Sequence, residues 1–200
     1  MKKDSLLACL SVFSTVFFTL TSNVAYADVT GQIQQFMGTQ AFAASFHVGD
    51  SIVNTYKNCQ LSCDAISCAQ ACDNTPLTDL NTVTAVDGNS ANVQDSSGTV
   101  AILKSDFDSV QGDLALNFIQ TLPQNIGLDA SVSLSSATPT TFVVSGNSIP
   151  SLIVKGRMVT SQNQSADFSV TIAQQVPAIA QVLDVVIMGS HWSTVTSLKP

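Results

Sequence analysis

An α+β fold made mainly of strands is predicted by three features of this chain. A helical apolar period is confined to its first third, a period of two with closely spaced turn signals runs from Leu80 onward, and every acidic residue is an aspartate. Aspartate competes with the backbone inside helices and favours caps and turns, so its exclusive use suits strands and loops. The specific expectation is an N-terminal disulfide-stapled helical segment packed on a curved antiparallel sheet or small barrel.

The first 27 residues read as a secretory signal peptide: Lys2 and Lys3, an apolar stretch from Leu6 to Leu20, then the small-x-small site Ala25-Tyr26-Ala27. Ser11, Ser14, Thr15 and Thr19 interrupt the stretch, which falls short of the about 20 apolar residues of a membrane span. Leu6-Leu7-Ala8-Cys9 looks like a lipoprotein box, but the apolar region follows the cysteine instead of preceding it, so lipidation is not expected. Cleavage leaves 200 − 27 = 173 residues beginning at Asp28, one domain's worth of chain, with no membrane span and a periplasmic or extracellular destination. The reading divides it into a helical segment with a cysteine hairpin, 28–76, and an antiparallel β domain, 77–200.

Thr30 is a plausible N-cap for a helix whose apolar stripe is Ile33, Met37, Ala41, Ala44 and Val48, widened by Phe36. Gly49-Asp50 reads as stop and restart, with a second helix from Ser51 carrying Ile52, Tyr56, Cys59 and Cys63 at steps of four, three and four. Cys59, Cys63, Cys68 and Cys72 form a C-x3-C-x4-C-x3-C cluster, which allows three pairings. A bridge between i and i+4 of one helix holds the Cβ atoms too far apart, so a helical hairpin turning at Asp64-Ala65-Ile66-Ser67 is expected, with nested bridges Cys59–Cys72 and Cys63–Cys68. Four thiolates could instead hold zinc or an iron–sulfur cluster. Export and the x3 spacing favour disulfides, and the C-x-x-C of thiol exchange is missing.

Beyond Leu80, Thr82–Val86, Ala91–Asp95 and Thr99–Lys104 read as a three-stranded meander joined by Asp87-Gly88-Asn89 and Ser96-Ser97-Gly98. Leu114, Leu116 and Phe118 alternate, as do Leu128, Ala130, Val132 and Leu134 after a Pro123-to-Gly127 turn. Further strands are expected at Thr141–Ser145, Ser151–Thr160 and Ala166–Ala173, and spacing of this kind suits a curved or closed sheet. After Pro177 a short helix or turn should lead into one or two closing strands.

The chain from Asp28 carries 5 basic against 13 acidic side chains, a formal charge of 5 − 13 = −8. That balance disfavours nucleic acid and anionic membrane surfaces. With no glutamate and two histidines, His47 and His191, catalytic machinery is sparse, and neither a G-x-S-x-G elbow nor S-x-x-K is found. His191 beside Trp192, the sole tryptophan, is the pair expected to touch a ligand if either histidine does. Asp106, Asp108 and Asp113 form a weak calcium candidate that lacks the EF-hand spacing, and no cofactor is implied. The favoured function is an exported binding or structural protein whose partner is a protein. A carrier of an apolar small molecule inside the sheet is the alternative, followed by a secreted hydrolase using His191.

Overall fold

The computed structural model describes residues 28–199. The predicted leader of residues 1–27, its cleavage site and Cys9 lie outside the described residues, as does Pro200.

Asp28 opens α1 (Val29–Met37), its carboxylate accepting the Thr30 N–H at 3.2 Å, so the cap falls two residues earlier than expected. Gly38, at φ +63°, ends the helix. Ile33 and Met37 are buried, but the rest of the predicted stripe is not helical core: Ala41, Ala44 and Val48 are exposed. The single turn α2 (Phe42–Ser45) instead brings Phe42 and Phe46 to Phe107 of α3 (Lys104–Ser109), with ring centroids 5.4 and 5.5 Å from that of Phe107.

The second helix expected from Ser51 is a strand, β1 (Ser51–Tyr56). Ile52, Val53, Thr55 and Tyr56 are β-branched or aromatic residues that suit a pleated surface, and this preference prevails over the helical spacing. β1 lies between β4 (Leu77–Val86) and β11 (Ser190–Lys199), in the interior of the sheet. The cysteine cluster is likewise not helical: β2 (Cys59–Cys63) and β3 (Cys68–Cys72) form a separate two-stranded ribbon. β5 (Ser90–Gln94) and β6 (Thr99–Leu103) complete the meander from β4.

Residues Leu114 to Phe118, expected as a strand, begin α4 (Leu114–Asn125). The Asp113 carboxylate caps it by accepting the Leu116 N–H at 2.8 Å, and its buried residues Ala115, Leu116, Ile119, Leu122 and Pro123 recur at helical spacing. The strands expected at 128–134 and 141–145 are one strand, β7 (Ala130–Val144), with Pro139 inside it. β8 (Asn147–Thr160), β9 (Ser165–Ile172), a 3-10 turn (Ala178–Ala180) and β10 (Val182–Ile187) precede β11. Ser145 at φ +50° with Gly146 at +81° makes the tight turn between β7 and β8, and Met188-Gly189 repeats that pattern between β10 and β11.

Among the described residues nine strands form one antiparallel sheet in the order β6-β5-β4-β1-β11-β10-β9-β8-β7. The sheet is open, so the barrel expectation is corrected: β6 has five residues against fifteen in β7, and no ladder joins these two edges. The largest buried cluster unites Ile33 and Met37 of α1, Ala115 and Ile119 of α4, and Val154, Met158, Phe168, Val170 and Ile187 of the sheet. Gly156 sits where β7, β8 and β9 crowd together: a Cβ there would come within 2.6 Å of the Ser133 carbonyl oxygen and 2.8 Å of the Phe168 ring.

Candidate functional site

The cysteine ribbon is the first of the predicted features. Cys59 faces Cys72 and Cys63 faces Cys68 in register, and both pairs are disulfide-bonded with Cα separations of 4.0 Å. Because successive side chains alternate, Leu61 and Gln70 share the cysteine face, while Gln60, Ser62, Ala69 and Ala71 lie on the exposed one. Leu61 and Cys68 pack against the largest buried cluster, and Gln70 Oε1 accepts the Trp192 Nε1–H at 2.9 Å. At the tip, Asp64 accepts the backbone N–H groups of Ile66 and Ser67 at 2.8 and 2.9 Å. Those bonds, Ser67 first, hold its carboxyl below the usual value and leave Ile66 90% exposed.

His191 and Trp192 have different protein partners. Trp192 is spent as the latch of the ribbon, whereas the His191 side chain is 67% exposed and sets Nδ1 2.9 Å from Asp184 Oδ1. The same oxygen accepts the Thr194 hydroxyl at 2.5 Å. A carboxylate can only accept, so the His191 nitrogen facing it carries the hydrogen and Nε2 is the nitrogen available to solvent. Asp184 was not singled out in the sequence, although a lone aspartate in the apolar run Val182 to Ile187 signals a buried, satisfied carboxylate. The hydroxyl beside the dyad, that of Thr194, donates to Asp184, and among the described residues no hydroxyl or thiol is recorded bonding to His191. His47 is the exposed member of a 3.5 Å contact with Asp50, whose carboxylate accepts the His47 backbone N–H.

The three aspartates of the calcium candidate go separate ways. Asp108 pairs with Lys104 one helical turn away, Asp106 is exposed on α3, and Asp113 is buried as the cap of α4. Burial pushes the Asp113 carboxyl up from its ordinary value, opposed by the Leu116 N–H that favours the charged form. Its Oδ2 has no hydrogen-bond partner among the described residues. No group of three or more histidine, cysteine, aspartate or glutamate side chains with metal-binding geometry is found among the described residues.

A groove of about 970 Å³ that sequence reasoning did not anticipate lies among the described residues. One wall is the edge strand β7, between Ala130 and Ala137; the other is formed by Asp28, Val29, Thr30 and Gln32 at the start of α1 and by Gln120 and Gln124 of α4. Val132, Leu134 and Ala137 give it an apolar floor packed against the main cluster, and Ser131, Ser135 and the glutamines give it a polar rim. Asp28 is the one charged residue in the lining, and its carboxylate is committed to the α1 cap. Sequence signals for the groove exist in the absence of any charged residue from Ala130 to Val144 and in the glutamine spacing of α4, but only the β7–β8 register reveals that this strand is an edge.

Fold and site together define a mainly β protein with a large open antiparallel sheet, an oxidised hairpin and, along one sheet edge, a groove with a single charged residue in its lining. Compared with known proteins, the chain matches no protein-family model, no curated sequence and no solved structure.

Proposed function

We propose that this is an exported, non-enzymatic binding protein that holds a macromolecular partner in the groove between α1, α4 and β7. The observation that carries the reading is the groove itself, with an apolar floor, an amide and hydroxyl rim and Asp28 as the one charged residue in its lining. Such a surface offers adaptable hydrogen bonding over an apolar base, as recognition surfaces do. Oxidised cysteines agree with an export compartment. No helix among the described residues is long and apolar enough to cross a membrane.

An apolar-ligand carrier is less well supported, because the alternating Leu, Val and Phe positions proposed to line it are filled into buried clusters. The hydrolase reading has the His191–Asp184 pair in its favour, but the hydroxyl beside the pair, that of Thr194, donates to Asp184 and not to His191. A photo-crosslinking residue placed at Gln124 in the groove and, separately, at exposed Thr84 tests the binding reading in the native export compartment. A discrete adduct from position 124 alone supports it; equal adducts from both positions, or none from 124, reject it.

A further inference from the structure

We infer that the partner in this groove is an extended, uncharged, proline-free polypeptide segment that adds to β7 as a tenth strand; the inference rests on the binding reading above. Among the described residues β7 pairs with β8 along one side only, so alternate residues of its other side direct backbone N–H and C=O groups outward. Exposed edges of this kind template strand addition, and folded proteins usually blunt them with lysines, prolines or bulges. β7 has no lysine; it has a bulge between Leu134 and Ser136, and Pro139, which lacks an N–H. Pro139 therefore ends the usable edge, and the groove coincides with the stretch before it, Ala130 to Ala137.

The walls select the occupant. Across an antiparallel pair the side chains of opposed residues share a face, so an added strand meets Val132, Leu134 and Ala137 on the groove side and Ser131 and Ser133 on the other. Small apolar residues alternating with serine, threonine or glutamine match both. A charged residue facing the floor would be desolvated against Val132, Leu134 and Ala137, while Asp28, the one charged residue in the lining, lies on the opposite wall at the start of α1. Because α1 and α4 form the facing wall, an added strand has to enter between a helix layer and the edge, which an extended segment does without bringing a folded sheet with it; this favours a separate peptide over another copy of this chain.

The test is a display library of random nine-residue peptides selected on the oxidised chain from Asp28, with Ser131→Lys/Ser135→Lys as a counter-target. Both substitutions fall on exposed positions, and circular dichroism with an unchanged melting curve checks that the variant folds. Enriched peptides that are uncharged, alternating and proline-free, and that bind the double variant at least about tenfold more weakly, are the expected result. The same peptides are then resynthesised with N-methyl groups on alternate residues, which removes strand pairing while keeping every side chain. Loss of binding in one methylation phase and retention in the other supports strand addition, because only one side of an added strand faces β7. Equal binding by all methylated forms overturns strand addition and leaves groove binding standing. Failure to enrich any groove-dependent peptide overturns the inference, and with the Gln124 crosslink also absent it overturns the binding reading as well. Dimers in ultracentrifugation that the lysines abolish would overturn it in favour of self-pairing.

Discussion

Two hairpins of this molecule solve the same problem by opposite means. β7–β8 runs for fifteen and fourteen residues without a covalent link, and its stability comes from a long ladder and from Leu152, Val154 and Met158, which are buried in the main cluster. β2–β3 has five residues per strand, none of them buried, and two disulfides. A two-stranded ribbon is marginal in water by itself. Where a strand pair cannot remove apolar surface from water, limiting the freedom of the unfolded chain takes the place of burial.

The contrast is most severely tested in the uncrosslinked hairpin. Met158→Ala should destabilise the whole domain by about 3 kcal/mol, since it leaves a cavity among residues with no exposed surface. Chemical denaturation should show one cooperative transition shifted throughout; a shift confined to β7–β8 would mean that this hairpin is not part of the cooperative core. Removing Cys59 and Cys72 together by serine substitution should cost the ribbon about 3 kcal/mol, and removing Cys63 and Cys68 about 2, following the separations of 13 and 5 residues. Hydrogen exchange should locate both losses in β2–β3. A fall in global melting temperature as large as that of Met158→Ala would show instead that the ribbon belongs to the core through Leu61 and Trp192.

Gly156→Ala should cost about 2 kcal/mol, because the new methyl meets the Ser133 carbonyl and the Phe168 ring at distances that force a shift of backbone or aromatic side chain. The Ser133→Ala variant leaves that carbonyl in place and should be near neutral by the same assay. The smallest effect is in the turn of the ribbon. The folded-state pKa of Asp64 lies below its unfolded value, so its contribution is present above the unfolded pKa and is lost as pH falls through the folded one. Amide protection of Ile66 and Ser67 should therefore decline in that acid range, and Asp64→Asn should flatten the dependence. Asp113 has the opposite sign: its folded pKa is raised, so its contribution is greatest in acid and is lost as pH rises through that pKa.

Legibility in the sequence differed between these regions for a physical reason. The nested pairing was readable because geometry excludes i,i+4 bridges within a helix, yet the ribbon around it was misread as helical. A spacing of four places two residues on one face of a helix and also on one face of a strand, since four is a multiple of both nearly one turn and two alternations. Both bridged pairs have the same sum of residue numbers, which is the arithmetic of antiparallel register and suits a helical hairpin as well as a ribbon. Leu114 to Phe118 failed by the reverse route. Three alternating residues outweighed the Asp113 cap and the longer recurrence through Ile119, Leu122 and Pro123. The meander of β4 to β6 was legible because Asp87 and Asp95 form its turns with their own carboxylates, each accepting backbone N–H groups. The groove was not legible, because which strand becomes an edge depends on sheet order, and a strand's sequence carries little record of its missing neighbour.

The nested bridges also change what a protease can accomplish. Ile66 is the natural point of attack, held out at the tip of the ribbon. A cut there separates the chain into two pieces that Cys63–Cys68 and Cys59–Cys72 still join as two successive rungs. The nicked molecule would run as one species on a non-reducing gel and as two after reduction, with its sheet order intact. Peptide-bond continuity at the tip is thus dispensable for holding this protein together, and the covalent thread of the ribbon passes through sulfur.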